Sequence, residues 1–299
     1  MSPFFSVVIT TYNRPHLLPR AIKSVLDQTF KDFEIIVVND GSKEDYTTVE
    51  KYMADIPVIK YLYTANQGRS KARNLGIAEA AGKYICFLDD DDIYYPNHLS
   101  ILFEGIRNHK VDALYHTYCI RRFKDGTKNR ANTEAFNESD NISKVIDNQF
   151  ALHSVAIYNT ILKQYQFDSD LEYYEDLDLW IRIAISFPII KLKEYTVEYN
   201  FHDDNSTNWN TRSVLLRLHS FLYFKDKYQN YLPPSFLKKN IFNSYIALAS
   251  FYANSAQAKK SLRSIFDAFK IKPSFIITRY SFSIFKKLLN NSITNVKRS

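Results

Sequence analysis

Glycine is scarce in this 299-residue chain, with six in all, and the only cysteines are Cys86 and Cys119. So little glycine beside 22 Tyr and 22 Phe excludes a low-complexity chain and describes an ordered globular protein. Two cysteines, both in strand-like stretches, give no disulfide framework, and a reducing cytosol is the simplest home for them. The start MSPFFSVVITTYNRP lacks a basic opening and a small-residue cleavage site, so it does not read as a signal peptide. No run reaches the roughly 18 uncharged apolar residues of a membrane-spanning helix. Acids are almost missing from the tail. Residues 256–299 carry ten Lys or Arg against the single acid Asp267, which makes +9 there and leaves −2 of the net +7 for the rest. The basic charge therefore belongs to the tail, and no nucleic-acid partner is expected from it.

What is present is a 45% hydrophobic chain, enough to bury the core of one large domain or two. Its organising stretch is 84–92, YICFLDDDD. An apolar and aromatic run without alternation, residues 84–88, predicts a strand buried on both faces. It stops in Asp89, Asp90, Asp91 and Asp92. In an extended chain Asp89 and Asp91 point the same way, and convergent carboxylates suit Mg²⁺ or Mn²⁺ with a bound phosphate. A solvated acidic turn is the plainer reading of any acidic run. Four like charges exceed what one turn needs, however, and a cation would relieve their repulsion.

Upstream, strands are predicted at 5–10, 34–38 and 58–63, each ending in polar residues. Helices are predicted between them, over 17–26 with Pro19 in the first turn, over 44–54, and over 70–81 with Gly82 as C-terminal cap. This alternation has the logic of a parallel sheet, with ligands at the strands' C-terminal ends. Downstream, a helix opens at Pro96, and 113–123 enters a hairpin through 124–127. Residues 129–148 are polar without periodicity and read as a loop over the site, followed by a strand at 151–158 and a short helix at 159–165. In 173–187, YYEDLDLWIRIAISF, Glu175 and Asp176 precede a strongly apolar helix, and by themselves they read as a cap. A strand at 195–199 leads to the polar loop 201–206 with His202. Helices then follow at 214–228, 235–254, 257–270 and 274–289, which divides the chain into 1–211 and 212–299.

Taken in order, SVVITTYNRP (6–15), EIIVVNDGS (34–42), NQGRSKARNLGI (66–77), YICFLDDDDIYYP (84–96) and YYEDLDLWIRI (173–183) resemble a family-2 glycosyltransferase of the bacterial surface-glycan type. The resemblance covers roughly residues 4–210 and stops before the helical tail. It implies an α/β GT-A fold: a Rossmann-like, open, twisted, mostly parallel sheet flanked by helices, here with a C-terminal helical extension.

The resemblance also implies roles. Thr11, Tyr12 and Asn13 would hold the nucleotide of a sugar donor, with Tyr12 against the base. Asp40 would accept a hydrogen bond from a uracil or thymine N–H, and Asn66 and Arg73 would lie near the base or phosphates. Asp89–Asp91 matches the DxD signature, with Asp89 and Asp91 on Mn²⁺ or Mg²⁺, Asp89 and Asp90 toward the donor, and His202 as a further metal ligand. Asp176 would be the general base of an inverting transfer from a nucleotide sugar, UDP-linked, to a saccharide or lipid-linked saccharide. Processive synthases are excluded by the missing Gln-x-x-Arg-Trp motif and spans. A sugar nucleotidyltransferase would need a Gly-rich loop after the first strand, where TTYNRP has no glycine. A non-catalytic binding module would have lost Asp91 or Asp176. The basic amphipathic stretch 274–289 is expected to touch anionic lipid at the inner face of the cytoplasmic membrane.

Overall fold

The computed structural model describes residues 2–130, 140–148, 150–202 and 210–274. The chain forms two compact units, Met1–Asp203 and Asp204–Ser299. The first is built on one nine-stranded sheet. Its strands are β1 (Phe5–Thr11), β2 (Phe33–Asn39), β3 (Ile59–Tyr63), β4 (Tyr84–Asp89), β5 (Ile93–Tyr94), β6 (Leu114–Arg122), β7 (Lys128–Arg130), β8 (Val155–Tyr158) and β9 (Ile189–Asn200). The spatial order is β3-β2-β1-β4-β8-β6-β9-β5, with β7 beside β6. The first four strands are parallel to one another, in the order 3-2-1-4, and a long parallel pairing joins β6 to β9. Shorter antiparallel pairings link β4 to β8, β8 to β6 and β5 to β9.

The β-branched and aromatic runs of β1, β2 and β4 explain their central place. Val7, Ile9, Ile35, Val37, Cys86 and Leu88 are buried in a single core cluster, and the alternate residues Val8, Ile36 and Phe87 are buried on the opposite face. Helices α1 (Leu18–Leu26), α2 (Thr47–Ala54) and α3 (Arg69–Glu79) make the crossovers between the parallel strands. Pro19 occupies the first turn of α1, as its missing N–H allows. The strand order reverses between β1 and β4, because β2 leaves β1 on one side and β4 pairs on the other. In open α/β sheets the crevice outside the carboxyl ends at such a point is where ligands bind. Thr10 is in register with Asp89 there, so Thr11 and the acidic run open into the same crevice.

Helix α4 (His98–His109) follows the acidic run, and α5 (Asn141–Asn148), α6 (Asn159–Gln164) and α7 (Glu175–Ser186) complete the unit. Four expectations change. Residues 141–148 form α5 rather than a loop: Val145 and Ile146 are buried, and two apolar anchors in a polar stretch leave too little periodicity to read. Residues 128–130 extend the hairpin as β7, and residues 131–139 lie outside the described residues. Gly82 is not a left-handed cap, since α3 ends three residues earlier. It passes against β1, where a Cβ would come 2.5 Å from the Ser6 backbone nitrogen. Strand β9 is also longer than 195–199, because its first half alternates weakly at the sheet edge.

The second unit holds α8 (Thr211–Lys227), α9 (Pro234–Asn254) and α10 (Ala258–Ile271). Asn210 and Ser213 exchange hydrogen bonds as a capping box at the start of α8. Ile246, Ala249 and Ala253 of α9 pack with Ile265 and Ala268 of α10. The helix expected at 274–289 lies, from 275 onward, outside the described residues. Among the described residues no helix is long and apolar enough to cross a membrane.

Gly76 lets α3 sit directly on β1, since an added Cβ would approach Val8 Cγ1 to 2.3 Å. Val8 is β-branched and fully buried, so it has nowhere to turn. Gly76→Ala is expected to destabilise the protein by about 1–3 kcal/mol, the usual cost of overpacking. Urea unfolding checks this, and an unchanged midpoint would refute the close approach.

Candidate active site

The acidic run is a turn, not an extended strand end. β4 finishes at Asp89, and the Asp92 amide donates to the Asp89 carbonyl at 3.1 Å. That turn brings one carboxylate oxygen each of Asp89, Asp91 and Asp92 within 4.8 Å of one another. Asp89 and Asp91 therefore converge as expected, for a different reason, and Asp92 joins them. Asp90 is not part of that trio. Its carboxylate accepts from Thr11 Oγ1 at 2.7 Å and from Arg14 Nη1 at 3.1 Å.

Each acid has its own cationic or polar partner. Arg14 Nη1 also donates to Asp91 Oδ2 at 2.7 Å, and Arg20 donates to the Asp91 carbonyl. His202 Nε2 lies 2.9 Å from the same Asp91 Oδ2. Arg73 Nη2 donates to Asp89 at 2.9 Å. Burial works to raise the Asp89 carboxyl, but the Arg73 charge and hydrogen bond outweigh it and hold Asp89 below the usual carboxylate range. Asp90 is pushed up to about 7, first by burial and then by the Asp91 charge, against the pull of Arg14. Asp92 is wholly buried, 3.0 Å from His153 Nδ1, and that carboxylate holds the imidazole above its ordinary value despite burial.

Arg73 links this cluster to the second acidic motif. Its Nη1 donates to Glu175 Oε1 at 2.8 Å, and its guanidinium lies 5.5 Å from the Phe167 ring centroid. Glu175 and Asp176 are the first two residues of α7, whose apolar face buries Leu177, Trp180, Ile181 and Ala184. Neither acid is the N-cap. That position is Tyr174, held left-handed at φ 60°, a conformation that costs an L residue roughly 1 kcal/mol. The half-buried Asp176 accepts from the Leu177 amide. Burial, then the neighbouring Glu175 charge, pushes it up to about 6.

The remaining expected residues line the adjoining loops. Tyr12 is 40% exposed and presents its ring to solvent at the end of β1. Asn13, left-handed at φ 55°, accepts from the Lys43 amide through Oδ1, while its own amide donates to Ser42 Oγ. Asp40 is buried and accepts from the Gln67 and Gly68 amides, one on each oxygen, at the entrance to α3. Asn66 is exposed, and its backbone nitrogen would meet a Cβ on Gly41 at 2.4 Å. Gly41, at φ 70°, thus allows the loops after β2 and β3 to touch. Sequence reasoning missed Arg14, Tyr46, Asp92, His153, Glu175 and Asn200. Tyr46 OH meets Thr11 Oγ1 at 2.8 Å and accepts from the Arg14 amide, and nothing in its sequence surroundings signals that.

Arg73 is buried with Glu175, while Asp89 is half-buried, so its removal strands the Glu175 charge. Arg73→Met is expected to cost about 3 kcal/mol or more, because buried Glu175 loses its 2.8 Å partner and keeps Arg69 at 4.0 Å. Urea unfolding measures it, and a loss under about 1 kcal/mol would contradict the bridge.

Residues 6–174 match the Glycosyl transferase family 2 domain. An uncharacterised glycosyltransferase of Rickettsia bellii is 31% identical over 207 residues, which cover 69% of this chain and only 30% of that longer protein. The GalNAc(5)-diNAcBac-PP-undecaprenol β-1,3-glucosyltransferase of Campylobacter jejuni is 27% identical over 281 residues, 90% of this chain and 89% of that one. Among solved structures, S. aureus TarS 1–349 in complex with UDP-GlcNAc aligns with a TM-score of 0.64 at 17% identity, covering 97% of this chain and 89% of that one. Mannosyltransferase PcManGT from Pyrobaculum calidifontis, in complex with GDP-Man and Mn²⁺, aligns at 0.58 and 14% identity over 99% and 88%. These likenesses place the sheet among GT-A folds. With the family domain matching more than half of its residues, the chain belongs to glycosyl transferase family 2.

Proposed function

We propose that the chain is an inverting hexosyltransferase that moves a sugar from a nucleotide sugar, UDP-linked, to a hydroxyl of a saccharide or lipid-linked saccharide. The observation that carries this is the arrangement at the switch point: a carboxylate cluster on one side of Arg73 and the Asp176 pair on the other.

The cluster suits a hard divalent cation. Its donors are carboxylate oxygens with one imidazole, the set a hard divalent cation takes. Asp89, Asp91 and His202 would hold Mn²⁺ or Mg²⁺, which when bound supplies counter-charge to the diphosphate leaving group. The fold relative PcManGT is in complex with both GDP-Man and Mn²⁺.

On the donor side, Tyr12 offers an open ring face to the base. Asp40 keeps lone pairs beyond the two amide bonds it already accepts, so a uracil N–H can still donate to it. Thr11 and Asn13 shape the nucleotide pocket, Asn66 borders the base, and Asp90 reaches the ribose. Arg73 keeps Asp89 ionised toward the phosphates. On the acceptor side, Asp176 takes the hydroxyl proton as that oxygen attacks the anomeric carbon through an oxocarbenium-like state. The diphosphate leaves from the opposite face, so one displacement turns an α-linked donor into a β-linked product.

The unit Met1–Asp203 is assigned the chemistry, and the helical unit an accessory role. The C. jejuni relative is named for a PP-undecaprenol acceptor, which supports a lipid-linked saccharide here and a cytoplasmic site at the membrane's inner face. The basic stretch 274–289 is assigned the contact with anionic lipid.

The test is the pH dependence of turnover in Asp176→Asn and wild type, followed as nucleoside diphosphate release from UDP-, GDP- and dTDP-sugars with Mn²⁺. A base works only when deprotonated, so wild-type kcat should climb through about pH 6 and level off above it. Asp176→Asn should lose roughly 100-fold or more in kcat with donor KM nearly unchanged. Near-normal turnover in the variant would return Asp176 to a role at the helix start alone.

A further inference from the structure

Four consecutive residues at the end of β9 reach the acidic turn or its supports. The Asn200 amide donates to Asp92 Oδ1 at 2.9 Å, and Asn200 Nδ2 donates to the Asp91 carbonyl at 2.9 Å. Two residues on, His202 meets Asp91 Oδ2 at 2.9 Å. The intervening residues point elsewhere, as strand geometry requires. Tyr199 lies parallel to the His153 ring, with centroids 5.5 Å apart and planes 12° apart. Phe201 packs edge-on to Tyr199 at 4.7 Å and stacks on Phe123 at 5.2 Å, with planes 10° apart. The Phe201 amide also donates to the Arg122 carbonyl, which continues the β6–β9 ladder past the strand end.

One ring ladder, Phe123–Phe201–Tyr199–His153, therefore runs from the β6–β7 hairpin to Asp92, because His153 Nδ1 is 3.0 Å from that carboxylate. The residues alternating with the ladder clasp Asp91 and Asp92. We propose that this aromatic ladder is a positioning element for the divalent-cation site: it fixes where β9 ends, and so sets the Asp91 and His202 donors relative to one another. The proposal rests on the cation role given above. Removing the ladder leaves every donor in place but loosens their spacing, and outer supports of this kind are worth roughly 10–100-fold in metal affinity.

Tyr199, Phe201 and Phe123 are only half-buried, so they can be changed with little loss of core. The experiment titrates Mn²⁺ alone into full-length protein and follows the free-ion electron paramagnetic resonance signal. Tyr199→Leu should weaken binding about tenfold, while Tyr199→Phe, which keeps the ring, should stay within about twofold of wild type. Circular dichroism verifies the fold, and if Tyr199→Leu does not fold, Phe201→Leu carries the same expectation. Wild-type affinity in the Leu variant overturns the ladder's role, as does an equal loss in Tyr199→Phe. A wild type that does not take up Mn²⁺ at all overturns the cation reading itself, a result distinct from either.

Discussion

Mutual repulsion among Asp89, Asp90, Asp91 and Asp92 is the constraint on which this structure depends. Two unit charges 4 Å apart at a protein surface repel by about 4 kcal/mol, so such a turn cannot close without compensation. The compensation comes from widely separated parts of the chain. Arg73 of α3 takes Asp89, Arg14 takes Asp90 and Asp91, and His153 and Asn200 take Asp92. Because those partners sit 16 to 108 residues away, the turn forms only when the sheet has brought β1, β4, β8 and β9 together. Folding and assembly of the site are the same event.

This arrangement also accounts for the switch-point geometry. Parallel strands β1 and β4 deliver polar residues to one crevice, and only there can Thr11 bond to Asp90 while Arg14 spans two acids. Arg14 places a positive charge where a cation with its diphosphate is proposed to sit. The four acids are thus tolerable in the unliganded protein, and a ligand enters a site whose charge is already ordered. Across Arg73, burial and then the Glu175 charge leave Asp176 less acidic than an exposed carboxyl. That difference between Asp89, held low, and Asp176, held high, is what the proposed charge-binding and proton-accepting roles require.

Much of this was legible in the sequence because it is written in local patterns. Unbroken apolar runs gave β1, β2 and β4, and their polar ends pointed to the ligand crevice. The acidic run marked Asp89 and Asp91, although it predicted their convergence from strand geometry when a turn produces it. What stayed hidden is non-local. Glu175 is indistinguishable in sequence from a helix-start acid until Arg73, 102 positions away, is seen bonded to it. Asp92 looked like one more charge in the run, and its pairing with His153 depends on a short 3₁₀ turn that periodicity does not reveal. Helix α5 escaped for a similar reason, since Val145 and Ile146 are its buried apolar residues among those described and Asn141 bonds to the distant Phe187 carbonyl.

The central claim is that the acidic turn binds diphosphate through a divalent cation rather than through its arginines. Calorimetric titration of UDP into the metal-free protein and into the protein with Mn²⁺ tests this most directly. The account predicts binding at least tenfold tighter with Mn²⁺, since without the ion the Asp89 and Asp91 carboxylates face the incoming phosphates and each factor of ten is about 1.4 kcal/mol. Equal affinity with and without the metal would contradict it, and would assign diphosphate recognition to Arg14 and its neighbours instead.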